Sequence, residues 1–244
     1  MLRFERITKS FGWHRIFQDI RGDLAPGVYA LQGPNGSGKS TLLGILSGAI
    51  AADAGEAWIN DVSLQTAPLP ARQGLSYAPD ESPIYPFMTG RDLLDFVAMA
   101  KKTKVGSDIL ELVAQFGLDP HLQTRFSAMS LGTQKKFMLS AAWIGDPQVM
   151  LLDEPSNGLD NHAREILAQR IRLRGLEGLA LFASHDVAFV EACRANILRM
   201  DHLESSLHCP VLEVDSRGSP GIMPLISAQL QETPSCHAHN VSLP

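Results

Sequence analysis

Cysteine is scarce in this chain. Its 244 residues contain only Cys193, Cys209 and Cys236, with no CxxC spacing. That argues against a disulfide framework and against a zinc knuckle, and suits a reducing cytosol. Positive charge is also short: 21 Lys and Arg face 26 Asp and Glu, a formal net charge of −5. There is no basic field of the kind that holds a phosphate backbone, so no nucleic-acid partner is expected. Long apolar runs are missing as well. No stretch approaches the ~20 apolar residues of a membrane helix. The opening MLRFERITKSF carries charges where a signal peptide needs an apolar core. A role at a membrane would therefore require something else to hold the chain there.

What is present is a globular composition, 45% hydrophobic and 19% charged, enough for one good core and a small subdomain beside it. Alternating or buried apolar runs predict strands at Leu2–Ile7, Val28–Gln32, Glu56–Ile59, Val149–Leu152 and Ala180–Ser184. Three- and four-residue apolar spacing predicts helices at Lys39–Ser47, Arg91–Lys101, Ser107–Phe116, Leu131–Trp143 and His162–Arg174. Strands alternating with helices imply an α/β fold with a mostly parallel sheet. The stretch from about 84 to 145 reads as helix only, an inserted helical subdomain in a domain spanning 1–207. Residues 208–244, rich in Ser and Pro, are predicted to be a flexible tail. In that tail Cys236, His237 and His239 lack a fourth metal ligand, and Asn240 matches a glycosylation acceptor by letters alone.

The strongest motif is Gly33-Pro34-Asn35-Gly36-Ser37-Gly38-Lys39-Ser40-Thr41, which fits G-x-x-x-x-G-K-[ST] between a predicted strand and a predicted helix. Glycines let successive N–H groups point into a phosphate, and the helix start adds partial positive charge. Lys39 would reach the β- and γ-phosphates of ATP, and Ser40 would ligate Mg²⁺. A second motif, Val149 to Glu154, is an apolar strand ending in two carboxylates. Adjacent negative charges at a buried strand end need a compensating cation or proton, and ATP-bound Mg²⁺ supplies one. Asp153 is then the metal-side carboxylate. Glu154, facing the other way if the chain stays extended, orients or deprotonates the attacking water.

With Met129-Ser130-Leu131-Gly132-Thr133 placed shortly before that strand, the order of motifs resembles the ATP-binding subunits of ABC transporters, from about Leu2 to about Leu207. The resemblance implies a P-loop NTPase core with a small antiparallel β part. It further implies two subunits, a second copy or a paralogue, sandwiching two ATP molecules. Ser130 and the Gly132 backbone would then touch the γ-phosphate held by the other subunit. A Ser before a helix is by itself only an N-cap. Ser156 to Asp160 resembles the loop that crosses the dimer interface. His185 resembles the switch histidine, and Phe11 the aromatic that stacks on adenine, with Trp13 as a substitute and core packing as the alternative for either. Three positions depart from the family: Asp80 stands where it carries the Q-loop glutamine, Leu131 where it carries a glycine, and Thr133 where it carries a glutamine.

The resemblance implies catalysis by Glu154, His185 and Lys39, and a separate membrane-spanning permease as partner. The chain would be cytoplasmic, peripheral on the inner face of the cell membrane. Pro83, Tyr85, Pro86 and Phe87 either dock the permease or close a small core. Rival readings are a regulatory subunit that binds ATP with little hydrolysis and a non-transport ABC ATPase. The latter usually carries a coiled-coil insertion or two cassettes, neither of which is seen here.

Overall fold

The most apolar segments of the chain form its two fully buried strands. In the computed structural model, which describes residues 1–81 and 84–205, these are β7 (Val149–Asp153) and β8 (Leu179–Ala183). They lie in a five-stranded parallel sheet with β3 (Gly27–Gln32), β6 (Leu75–Ala78) and β9 (Asn196–Arg199), in the order β6-β7-β8-β3-β9. Strands covered on both faces can be apolar throughout, which is why β7 and β8 read as unbroken runs. Successive side chains still alternate between two cores. Met150, Leu152, Ala180 and Phe182 face a helical layer, whereas Val149, Leu151, Leu179 and Leu181 face the opposite cluster.

That opposite cluster is closed by a four-stranded antiparallel sheet, β2-β1-β4-β5, formed by β1 (Leu2–Phe11), β2 (His14–Leu24), β4 (Ala54–Ile59) and β5 (Val62–Ser63). The first helix, α1 (Lys39–Leu46), follows β3 and belongs to the same side through Leu42, Leu43 and Leu46. A short α2 (Pro68–Gln73) precedes β6. Between β6 and β7 lie α3 (Gly90–Ala100), α4 (Ser107–Gln115), two short 3₁₀ turns and α5 (Leu131–Ala142). A capping box holds the start of α3: Thr89 accepts from the Asp92 N–H, and Asp92 accepts from the Thr89 N–H. Phe126 meets Phe137 edge-on at 6.0 Å, and Gly90 packs so tightly that an added Cβ would lie 2.3 Å from the Phe137 ring. The chain then runs through α6 (Asn161–Glu177), α7 (Val187–Ala192) and α8 (Met200–Ser205).

The α/β class, the mostly parallel sheet and the small antiparallel part agree with the sequence reading. The strands β2, β5, β6 and β9 were not anticipated. The alternation of β2 is broken by irregular pairing with β1, with Arg6 and Asp19 at positive φ, and such bulges erase the two-residue period. β6 and β9 have four residues each, too few to carry a period. The predicted tail from 208, with Cys209, Cys236, His237, His239 and Asn240, and the predicted docking residue Pro83 lie outside the described residues.

Phe137 is fully buried where α3 and α5 meet. Phe137→Ala is expected to cost roughly 3–5 kcal/mol of unfolding free energy, the range for a buried phenylalanine. Chemical denaturation followed by circular dichroism measures this.

Candidate active site

Three parallel strands end side by side, and their carboxyl ends carry the predicted chemistry. Leu31 of β3 and Asp153 of β7 both pair with Ala183 of β8. The loop 33–38, the pair Asp153-Glu154 and the pair Ser184-His185 therefore leave the sheet at one level. Open α/β sheets bind ligands at this edge. A cleft of about 610 Å³ opens there. It is lined by Asn35, Gly36, Gly38, Lys39, Ser40 and Thr41 from the loop and α1, and by Glu154, Asn157 and His185. His14 and Ile16 of β2 complete it.

The loop turns through two left-handed glycines. Gly36 has φ 80° with open space where a side chain would start. Gly38, at φ 89°, precedes α1 so closely packed on β2 that a Cβ would lie 2.4 Å from Ile16. Lys39 folds back into the loop, its Nζ donating to the carbonyl oxygens of Gly33 (2.9 Å) and Pro34 (3.1 Å). The Ser37 hydroxyl is buried and has no hydrogen-bond partner among the described residues.

Asp153 is 4% exposed. Burial pushes its pKa up, the Ser40 hydroxyl offsets part of this by hydrogen bonding, and the charge of Asp80 adds to the rise. Its Oδ1 is buried without a hydrogen-bond partner among the described residues. The strand ends at Asp153, and Glu154 has φ 42°. The extended-chain reason for the direction of Glu154 therefore does not hold. A left-handed turn, secured by the Glu154 N–H donating to the Ala183 carbonyl at 2.9 Å, sets it instead. This conformation costs a non-glycine residue about 1 kcal/mol. The His185 N–H donates to Glu154 Oε2 at 3.3 Å, and His185 Nε2 lies 3.4 Å from Oε1. Burial raises the Glu154 pKa, against the lowering effect of His185.

Not every predicted residue lines the cleft. Phe11 stands at the tip of the β1–β2 hairpin, half exposed, with the Lys9 ammonium 5.0 Å from its ring centre, and Trp13 beside it is fully exposed. Gly33 borders a smaller recess with Gln32, Ser184 and His185. Pro34 and Ser37 belong to the loop without lining the cleft. Ser130 caps α5 by accepting from the Thr133 N–H at 3.2 Å. Gly132 lies against the 156–160 loop, where an added Cβ would approach the Gly158 carbonyl oxygen to 2.8 Å.

Sequence reasoning missed Lys135, one turn into α5. Its buried ammonium donates to Asp80 Oδ1 (3.1 Å) and the Asp80 carbonyl (3.0 Å), with the Asp153 carbonyl at 3.4 Å. A lysine among polar helix residues reads as solvated, so no local signal marked it. His14 and Ile16 were missed because their strand was missed.

The family described as ABC transporter matches residues 17–157. The chain is similar to the Nod factor export ATP-binding protein I of Rhizobium etli, 30% identical over 173 residues, covering 69% of this chain and 55% of that protein. It is also similar to the glycine betaine uptake system ATP-binding protein YehX of Escherichia coli, 29% identical over 212 residues, covering 84% of this chain and 69% of that protein. The chain thus spans little more than half the length of the first relative. A solved ATP-binding subunit of an ABC transporter superposes with a TM-score of 0.73 at 25% identity, covering 82% of this chain and 85% of that one.

The raised pKa of Asp153 sets a pH dependence. A buried carboxyl with a raised pKa favours the folded state below the ordinary carboxylate range and loses that contribution as pH rises through its folded value. Asp153→Asn is therefore expected to raise the melting midpoint of the nucleotide-free protein by a few degrees at neutral pH. The gain should shrink to nothing in acid, as read by calorimetry across pH.

Proposed function

The chain belongs to the ABC transporter family of ATP-binding proteins, and we propose that it hydrolyses ATP between two paired cassettes to drive a separate membrane-spanning partner. One observation carries this reading. Two buried polar atoms next to the residues that line the cleft, Ser37 Oγ in the loop and Asp153 Oδ1 at the end of β7, have no hydrogen-bond partner among the described residues. Buried polar groups are rarely left unsatisfied, and a nucleotide with its metal satisfies both.

The loop 33–38 and the start of α1, with Thr41, take the phosphates on backbone N–H groups. Lys39 exchanges the Gly33 and Pro34 carbonyls for β- and γ-phosphate oxygens, a stronger charge-assisted pairing. The adenine end lies toward β2, with Ile16 in the cleft wall and Phe11 at the hairpin tip. Ser40 and Asp153 fit Mg²⁺, since a hydroxyl beside a carboxylate with a free buried oxygen is a hard-oxygen donor set. When bound, Mg²⁺ neutralises phosphate charge. Asp80 stands next to this pair.

Glu154 acts as the base or orienting group for water. Its burial raises its proton affinity, and the His185 contact aims it. His185 turns its exposed imidazole to the γ-phosphate, and with Lys39 stabilises the charge of the transition state. The exposed start of α5, with Ser130 and Gly132, is presented to the ATP of a second copy or paralogue. Opening and closing of this pair passes to the permease through a helical arm, residues 84–145 of an ATPase domain spanning 1–207. The stacked, exposed Tyr85 and Phe87, 5.4 Å apart, form the docking point. No helix among the described residues is long and apolar enough to cross a membrane; in this reading the partner holds the chain at the inner membrane face.

Purified protein is expected to hydrolyse ATP with Mg²⁺. Glu154→Gln should lower kcat by about 100-fold or more, in the range for loss of a general base. In size-exclusion chromatography with ATP and Mg²⁺ that variant should elute as a dimer. A parent that binds ATP without turnover or pairing, with membrane partners supplied, would instead be a regulatory subunit.

A further inference from the structure

Asp80 brings a third carboxylate toward Asp153 and Glu154, and its charge raises the pKa of both. Left uncompensated, it would work against the anionic phosphates entering the cleft. Lys39, the loop lysine, is committed to those phosphates in the reading above. The compensating cation lies on another element. The Lys135 side chain is 9% exposed, and its ammonium reaches Asp80 Oδ1 at 3.1 Å, the Asp80 carbonyl at 3.0 Å, the Pro79 carbonyl at 3.5 Å and the Asp153 carbonyl at 3.4 Å.

These oxygens come from two chain segments, the residues after β6 and the last residue of β7. One side chain of α5 thereby ties together the end of the strand that carries the candidate metal carboxylate, the start of the 80–87 loop, and the helix whose first turn bears Ser130 and Gly132. A buried ammonium is costly unless paired, and breaking such a pair on one side leaves the other charge uncompensated. The buried ammonium is the charge that depends on the pair, whereas the half-exposed Asp80 carboxylate, left alone, keeps its negative charge beside the phosphates.

We propose that Lys135 is a positioning residue of the ATP site, which by pairing with Asp80 and holding the Asp153 carbonyl lets an aspartate work at this position and locks α5 to the strand ends. The proposal rests on the ATPase reading given above. It has a counterintuitive consequence. Asp80→Gln, which puts the family's own residue in place, harms the enzyme, because it leaves a buried ammonium held by carbonyls alone, without its carboxylate, beside the metal site.

The experiment is a double-mutant cycle on the full chain: parent, Asp80→Gln, Lys135→Gln and the double variant. Each is measured for kcat, KM for ATP, the Mg²⁺ concentration at half-maximal rate and thermal midpoint. Each single variant is expected to lose about tenfold in kcat with KM for ATP changed less than about threefold, and the double variant to recover most of that loss, the sign of coupled residues. Both single variants should need more Mg²⁺, a readout that a purely structural contact would not move in a folded protein. Should Lys135→Gln fail to fold, Asp80→Gln decides alone, since Asp80 is half exposed. An Asp80→Gln protein as active as the parent overturns the proposal. So does a double variant no better than the worse single variant. A parent that binds ATP without hydrolysing it overturns the ATPase reading itself, and the proposal with it.

Discussion

The parallel register of β3, β8 and β7 is the constraint on which the site depends. Because Leu31, Ala183 and Asp153 stand in line across three hydrogen-bonded strands, a phosphate-binding loop, a carboxylate pair and a histidine emerge together although up to 152 residues separate them in the chain. The apolar content of β7 and β8 secures this register. A slip of one residue would exchange the faces of Val149 and Met150 and misplace both cores at once.

Electrostatics around these strand ends is held away from its resting optimum. Asp153 and Glu154 are carboxylates kept at a raised pKa by burial, Glu154 takes a left-handed backbone, and Lys39 spends its charge on loop carbonyls. Such tension costs stability and is what a site prepared for a highly charged ligand looks like. The Ser40 hydroxyl and His185 offset part of this, and Lys135 adds a cation that reaches the strand ends from the helical layer and connects two parts of the fold that the sheet alone does not join.

Much of this was legible beforehand. The loop 33–41 carries its own chemistry in its spacing, and the unbroken apolar run before Asp153-Glu154 marked a buried strand end. Less legible were the elements with no period of their own. The wall of the cleft formed by His14 and Ile16 belongs to a strand whose bulges hide its alternation. The direction of Glu154 followed from a turn and not from strand geometry. Phe11, placed by resemblance at the base of the nucleotide, stands at the hairpin tip and outside the cleft lining.

Residue pattern alone determined the α/β class, the parallel sheet and the phosphate loop, because glycine spacing and apolar periodicity are local properties that neighbouring residues encode. Only the tertiary structure decided that Ser37 Oγ and Asp153 Oδ1 are buried without partners among the described residues, that His185 meets Glu154, and that Lys135 answers Asp80 across 55 residues. Burial and pairing at long range depend on how layers stack, and no local pattern in a sequence records which distant charge a side chain will find.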